Sequence, residues 1–171
     1  MVSLVPFVPT PEIVIHEMLK LAELKPGEIL YDLGCGDGRI LMIAAKEFGA
    51  KAIGVEIRKD LVEACIKNIK KNGLEGKAYV IHGDFFNVDI SSADVITLYL
   101  LTSVNEKLKP KLKRETKNGV RIVSHDFEIT GWTPLKKVNM RNGWRTHNIY
   151  LYTCLLYTSD AADEGLGVDL G

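Results

Sequence analysis

The sequence predicts an α/β fold, a single domain built on a doubly wound, mostly parallel sheet of seven strands that ends in an antiparallel C-terminal hairpin. Three observations predict it. Short apolar runs alternate with stretches of helical periodicity, the pattern of strand–helix–strand units with helices on both faces of a parallel sheet. A loop of alternating glycines, "GCGDG" at 34–38, directly follows the first of those runs. From Trp132 onward the texture changes to two strand-like runs joined by the turn "RNG".

The elements follow in order. Thr10 as a hydroxyl cap, Pro11 at the first helical position and Glu12 in the first turn announce a helix. Val14, Met18, Leu21 and Ala22 share one of its faces, and Pro26-Gly27 stops it. "EILYDLG" (28–34) reads as a buried strand. After the glycines, Ile40, Ala44, Ala45 and Phe48 pattern a helix that ends at Gly49, and "KAIGVEI" (51–57) is the second strand. "RKDLVEACIKNIKKNG" (58–73) repeats the helical signal, with Leu61, Cys65, Ile66 and Ile69 toward the core and Gly73 at its end. "KAYVIHGD" (77–84), "ADVITLYLL" (93–101) and "GVRIVSHDF" (119–127) are the third to fifth strands, and "PLKKVNM" (134–140) with "THNIYLY" (146–152) forms the hairpin. Only about ten residues join the third strand to the fourth, fewer than a full crossover helix needs, so at least one connection is a loop or a single turn. The basic run Lys107–Lys117 reads as a solvated helix face.

Composition narrows the function classes. A chain of 171 residues with 46% apolar content carries one core. The formal charge of zero hides four acids in residues 153–171, which hold no Lys or Arg; the first 152 residues carry four more bases than acids. That excess is too weak to argue for nucleic acid. No run is long and apolar enough for a membrane span, and the N-terminus lacks the layout of a secretion signal. Cys35, Cys65 and Cys154 are too few and too irregularly spaced for a disulfide framework or a metal site, so reduced thiols in a cytoplasmic protein are expected. His16 and His82 lie in periodic segments without metal spacing and read as structural, and Cys35 as a small filler of a tight turn. Trp132 and Trp144 read as core or hairpin cover, and His125 with Asp126 as a solvated loop pair. The tail 153–171 loses all periodicity and resembles translated cloning or adaptor sequence.

The glycine loop alone does not name its ligand. A dinucleotide loop of the G-x-G-x-x-G type, counted from Gly34, needs glycine at position 39, where Arg39 stands, and no G-x-x-x-x-G-K-[ST] element exists. Its acidic companions are more informative. Asp32 closes the first strand; Glu56 closes the second, where a carboxylate can accept from ribose hydroxyls. Asp84 closes the third beside Phe85, placed for an adenine amine and ring. Three acids make a poor cradle for a pyrophosphate and suit a nucleoside that carries a cation.

The ordered set "YDLGCGDG", "GVEI", "GDFF" and "LYLL" resembles the class I, seven-stranded S-adenosylmethionine-dependent methyltransferases. Within that superfamily, "PFVPTPEIV", "DLGCGDGRI", "TLYLL" and "RIVSHDF" are similar to the small protein-lysine N-methyltransferases of archaea and their mitochondrial relatives, over roughly residues 5 to 152. The resemblance implies a Rossmann-like methyltransferase domain over 1–152, with residues 1–24 covering the cofactor pocket and 153–171 a non-native or disordered tail. It implies that Asp32 and the backbone of Gly34 and Gly36 line the methionine moiety, and that Glu56 takes the ribose hydroxyls. Asp84 and Phe85 would take the adenine, and Thr10 the cofactor carboxylate. Tyr99 and Leu100 would stand beside the transferred methyl, with Tyr99 orienting the acceptor amine. Other members carry an Asn-Pro-Pro-Tyr element there; its absence argues against methylation of adenine or of glutamine amides.

The implied activity is methyl transfer from S-adenosylmethionine to lysine amines of proteins with exposed lysines, with a broad acceptor range and self-methylation open at the basic run. No metal, membrane or nucleic-acid partner is expected, and the chain is expected to be a monomer. The alternatives are an RNA or small-molecule methyltransferase and a non-catalytic S-adenosylmethionine-binding module.

Overall fold

The computed structural model describes residues 7–155. Five strands pair in parallel, β1 (Ile29–Leu33), β2 (Lys51–Glu56), β3 (Ala78–His82), β4 (Val95–Leu98) and β5 (Val120–His125), in the spatial order β3-β2-β1-β4-β5. Two more, β6 (Lys136–Asn142) and β7 (Arg145–Cys154), complete a seven-stranded sheet. β7 inserts antiparallel beside β5, and β6 pairs with β7 at the sheet edge. β7 runs two residues past position 152: Thr153 Oγ1 donates to the Val120 carbonyl at 2.7 Å, so these residues belong to the sheet. The remainder of the expected tail, from residue 156, lies outside the described residues, as do residues 1–6.

The helices are α1 (Glu12–Leu21), α2 (Arg39–Phe48), α3 (Lys59–Lys71) and α4 (Thr102–Glu115). α1, α2 and α3 share a core with one face of the sheet through residues such as Met18, Leu41 and Cys65; α4 covers the other through Leu108 and Leu112. That second face has fewer helices than strands to cover. Between β3 and β4 there is a single turn, Phe85–Asn87, and none of the residues between β5 and β6 forms a helix. Ile90, Ala93, Ile129 and Trp132 from these loops fill the layer instead. The basic run lies on α4 up to Glu115, but Lys111 is buried against Glu115 instead of solvated.

Four other local expectations change. Thr10 does not cap α1: Pro11 stands at the cap position, its carbonyl accepts from Val14 and Ile15, and no side chain caps the helix. The Thr10 hydroxyl is buried against His125 instead, a long-range partner that outcompetes a local one. On α3, Val62 takes the core position assigned to Leu61, while Ile66 is exposed. His125 is not in a solvated loop; it ends β5 fully buried. Trp132 is buried, whereas Trp144 covers nothing and is 89% exposed at the β6–β7 turn.

Candidate active site

The strand order reverses between β1 and β4, and the crevice at their carboxyl ends is where an open α/β sheet places its ligands. A cavity of about 540 Å³ occupies that position. Thr10, Asp32, Gly34, Glu56, Asp84, Phe85, Tyr99 and Leu100 all line it. Gly36 does not line it and acts one step removed, its amide donating to Glu56 Oε1 at 2.8 Å. Phe7, Arg58, Phe86, Val104 and Phe127 complete the wall in places the sequence did not single out.

The glycine loop is shaped by backbone geometry. Gly34 has φ 86°, in the region that glycine enters without penalty, and a methyl there would press on Leu100 at 3.3 Å. Its amide and that of Cys35 both donate to the Val55 carbonyl, which ties the loop to the end of β2. The Phe7 ring lies directly against Gly36, where any side chain would collide with it.

The two innermost carboxylates are buried in different ways. Glu56 is held at both oxygens, Oε1 by the Gly36 amide and Oε2 by the Arg58 amide at 2.9 Å. Each oxygen keeps further acceptor capacity for a ligand hydroxyl. Among the described residues, Asp32 has one protein donor, the Thr97 hydroxyl at 3.0 Å from Oδ1. Burial pushes its carboxyl up to about 7; the Thr97 hydrogen bond opposes that shift and the neighbouring Glu56 charge adds to it. A carboxylate in this state lacks a cation, so a ligand ammonium placed beside it would relieve the burial penalty. Asp84 spends Oδ1 on the Phe86 amide at 3.0 Å, capping the turn that holds Phe85 at the cavity wall.

At the β4–β5 end the wall is aromatic. Tyr99 stacks on Phe127 with ring centroids 6.1 Å apart, and also meets His125. The Arg145 guanidinium pairs with Asp126 and lies near Tyr99, and its interactions with Tyr99 and Asp126 hold its own proton more firmly than usual. Carboxylates at one end and aromatic faces at the other fit a nucleoside-bearing cation lying along β1 and β2, with a second, cationic or amine-bearing group approaching past Tyr99. Sequence reasoning missed Thr97, Arg145 and His147. Thr97 left a signal, being the one polar residue in the buried run "VITL".

Comparison with known proteins agrees with this geometry. The sequence matches the ANTKMT methyltransferase domain over residues 32–136. It is 52% identical to a protein-lysine N-methyltransferase of Saccharolobus islandicus, over 86% of this chain and 92% of that one. It is 30% identical to the adenine nucleotide translocase lysine N-methyltransferase of Mus musculus over 86% of this chain, and spans 62% of that longer protein. A solved RNA methyltransferase from Salinibacter ruber, in complex with S-adenosyl-L-homocysteine, superimposes with a TM-score of 0.84 at 42% identity, covering 88% of this chain and 96% of that one.

Proposed function

The chain belongs to the ANTKMT methyltransferase domain family, and from that premise we infer that it transfers the methyl group of S-adenosylmethionine to lysine side-chain amines of proteins. It is an S-adenosylmethionine-dependent methyltransferase. The observation that carries the reading is the cavity itself, with buried carboxylates at the glycine-loop end and an aromatic wall at the β4–β5 end. When bound, S-adenosylmethionine supplies a sulfonium methyl that a neutral amine displaces in line.

The protein's share is alignment and exclusion of water. Asp32 pairs the cofactor's amino group, Glu56 the ribose hydroxyls, and Asp84 with Phe85 the adenine. Gly34 lets the backbone approach and Gly36 holds Glu56 in place, while Thr10 and the segment before it cover the ligand. A lysine amine must arrive neutral, and the aromatic wall of Tyr99 and Phe127, with the Arg145 cation behind Tyr99, disfavours its protonated form by desolvation and like charge. Tyr99 also orients the incoming amine at the acceptor side of the cavity. Leu100 packs beside Gly34 and seals the reacting centre.

An RNA acceptor has a specific observation in its favour, the likeness to the RNA methyltransferase of Salinibacter ruber. The basic run favours it only weakly: Lys109, Lys111, Arg114 and Lys117 pair with Glu106, Glu115, Glu115 and Asp94 respectively, so three acids already offset half of its six positive charges. The rest of the reading is a monomer in a reducing cytoplasm, where Cys35, Cys65 and Cys154 stay reduced. Among the described residues, no helix is long and apolar enough to cross a membrane.

The test is transfer of label from S-adenosylmethionine to mixed basic proteins, to RNA and to small metabolites, with Asp32→Ala as control. Label on protein lysine, lost in the variant, is expected. Label confined to RNA or metabolites would overturn the acceptor assignment.

A further inference from the structure

Behind the aromatic wall runs a polar row, buried at His125 and His147 and open to solvent at Arg145, that methyl transfer itself does not use. Nη1 of Arg145 lies 3.2 Å from Nδ1 of His147, and Nε2 of His125 lies 2.8 Å from that same atom. A guanidinium only donates, so Nδ1 of His147 accepts, and the proton between the two imidazoles sits on Nε2 of His125. Nδ1 of His125 is therefore an unprotonated acceptor, and the Thr10 hydroxyl lies 3.4 Å from it. Burial holds His125 down to about 4 and His147 below its ordinary value, so both rings are neutral near pH 7, as this arrangement requires.

The two faces of His125 serve different parts of the cavity. Its Nδ1 meets Thr10, the last residue of the segment 7–10, whose other end is fixed by Phe7 against Gly36. Its ring face meets Tyr99, with centroids 4.1 Å apart and planes 33° apart. Asp126 locks the row from behind by pairing with Arg145 and accepting the Asn148 amide at 3.0 Å. Ligand atoms of His125, Asp126 and His147 lie within 4.8 Å of one another, a spacing that fits a metal ion. Arg145 decides against one: its fixed positive charge rests on both Asp126 and His147, where a cation would have to sit.

We propose that His125 is a positioning residue that couples the two halves of the site, anchoring the segment 7–10 over the cofactor through Nδ1 and holding Tyr99 toward the acceptor through its ring. The proposal rests on the reading of Tyr99 as the acceptor-side wall. Its cofactor half is independent of what the acceptor is.

The test compares His125→Asn with His125→Ala. The asparagine carbonyl stands near the place of Nδ1 and can accept from Thr10, but it offers Tyr99 no ring. In His125→Asn the Kd for S-adenosylmethionine, measured by calorimetry without acceptor, is expected to stay unchanged while kcat falls about 3- to 10-fold, the loss of one ring pair. In His125→Ala the Kd is expected to rise as well, by about 3- to 10-fold for one lost hydrogen bond, and amides of residues 7–14 in the ligand-free protein to exchange faster. Thr10→Val is expected to match His125→Ala in Kd and exchange, and the double variant Thr10→Val/His125→Ala to bind no worse than either single one. Equal Kd values in the asparagine and alanine variants, or a double variant whose loss is the product of the single losses, would overturn the coupling. A wrong acceptor class would show only as absent turnover, with the calorimetric and exchange results intact.

Discussion

Asp32 is the residue whose surroundings make the sharpest demand on the ligand. Its folded-state pKa of about 7 lies above its ordinary 3.8, so between those values the folded protein holds more protons than the unfolded chain. Its contribution to stability is thus fully present below about pH 4 and is lost as pH rises through 7. Without cofactor at pH 8, Asp32→Asn is expected to melt at a higher temperature than the parent, in a thermal scan followed by circular dichroism. Binding runs the other way. A cationic ligand needs the ionised form, so its affinity is expected to tighten as pH rises from 5.5 to 7, at most about tenfold per unit, with the slope absent in Asp32→Asn. Asp32, Glu56 and Asp84 were legible because each sits at a strand end beside a short loop, where sequence neighbours are also spatial neighbours. Thr10 was misread because threonine, proline and glutamate in that order are a local capping signal, and nothing local announces a partner 115 residues away. His147 was invisible for the same reason: its place follows only from the antiparallel register of β7 on β5.

Among the elements, α4 binds the loop after β5 most directly. Asn105, on its buried face, donates through Nδ2 to the carbonyls of Phe127 at 3.3 Å and Glu128 at 3.1 Å, while its own Oδ1 is buried without a partner. Replacing the donor with a carboxylate would set an anion against two carbonyl oxygens. Asn105→Asp is therefore expected to destabilise the protein more than Asn105→Ala, with the alanine variant losing about 1–3 kcal/mol in urea denaturation. Since Phe127 lines the cavity, both variants should also loosen the acceptor wall. Helical period and the glycines at 49 and 73 placed α2 and α3, because those signals are contained within the element. Which residue of α3 faced the core was less legible: Leu61 is drawn toward the cavity it lines, and Val62 fills the sheet side.

For the molecule as a whole, the cavity draws on β1, β2, the turn after β3, β4 and the segment before α1, so a ligand there braces the domain across its sequence. At one hundred times its Kd, S-adenosylmethionine is expected to add about 2.7 kcal/mol of stability. For a domain of this size that raises Tm by roughly 5–10 °C in a calorimetric scan. An unchanged Tm in the parent protein would contradict cofactor binding in this cavity. Strand number, parallel pairing and the closing hairpin were legible from alternation and turn residues. That β7 lies inside the sheet and leaves β6 at the edge was not, because hairpin sequences do not say which arm pairs outward.

The interior place of β7 bears on how the protein is made. Among the described residues β7 is the last strand to leave the ribosome, yet it fills the gap between β5 and β6. Until Cys154 has emerged, a nascent chain carries open strand edges on both neighbours, the condition under which sheets pair wrongly with other chains. Contacts of such long sequence separation also form slowly. Thr10 finds His125 backed by His147 only once β7 has been made. A chain that still lacks β7 therefore holds His125 without the ring that backs it.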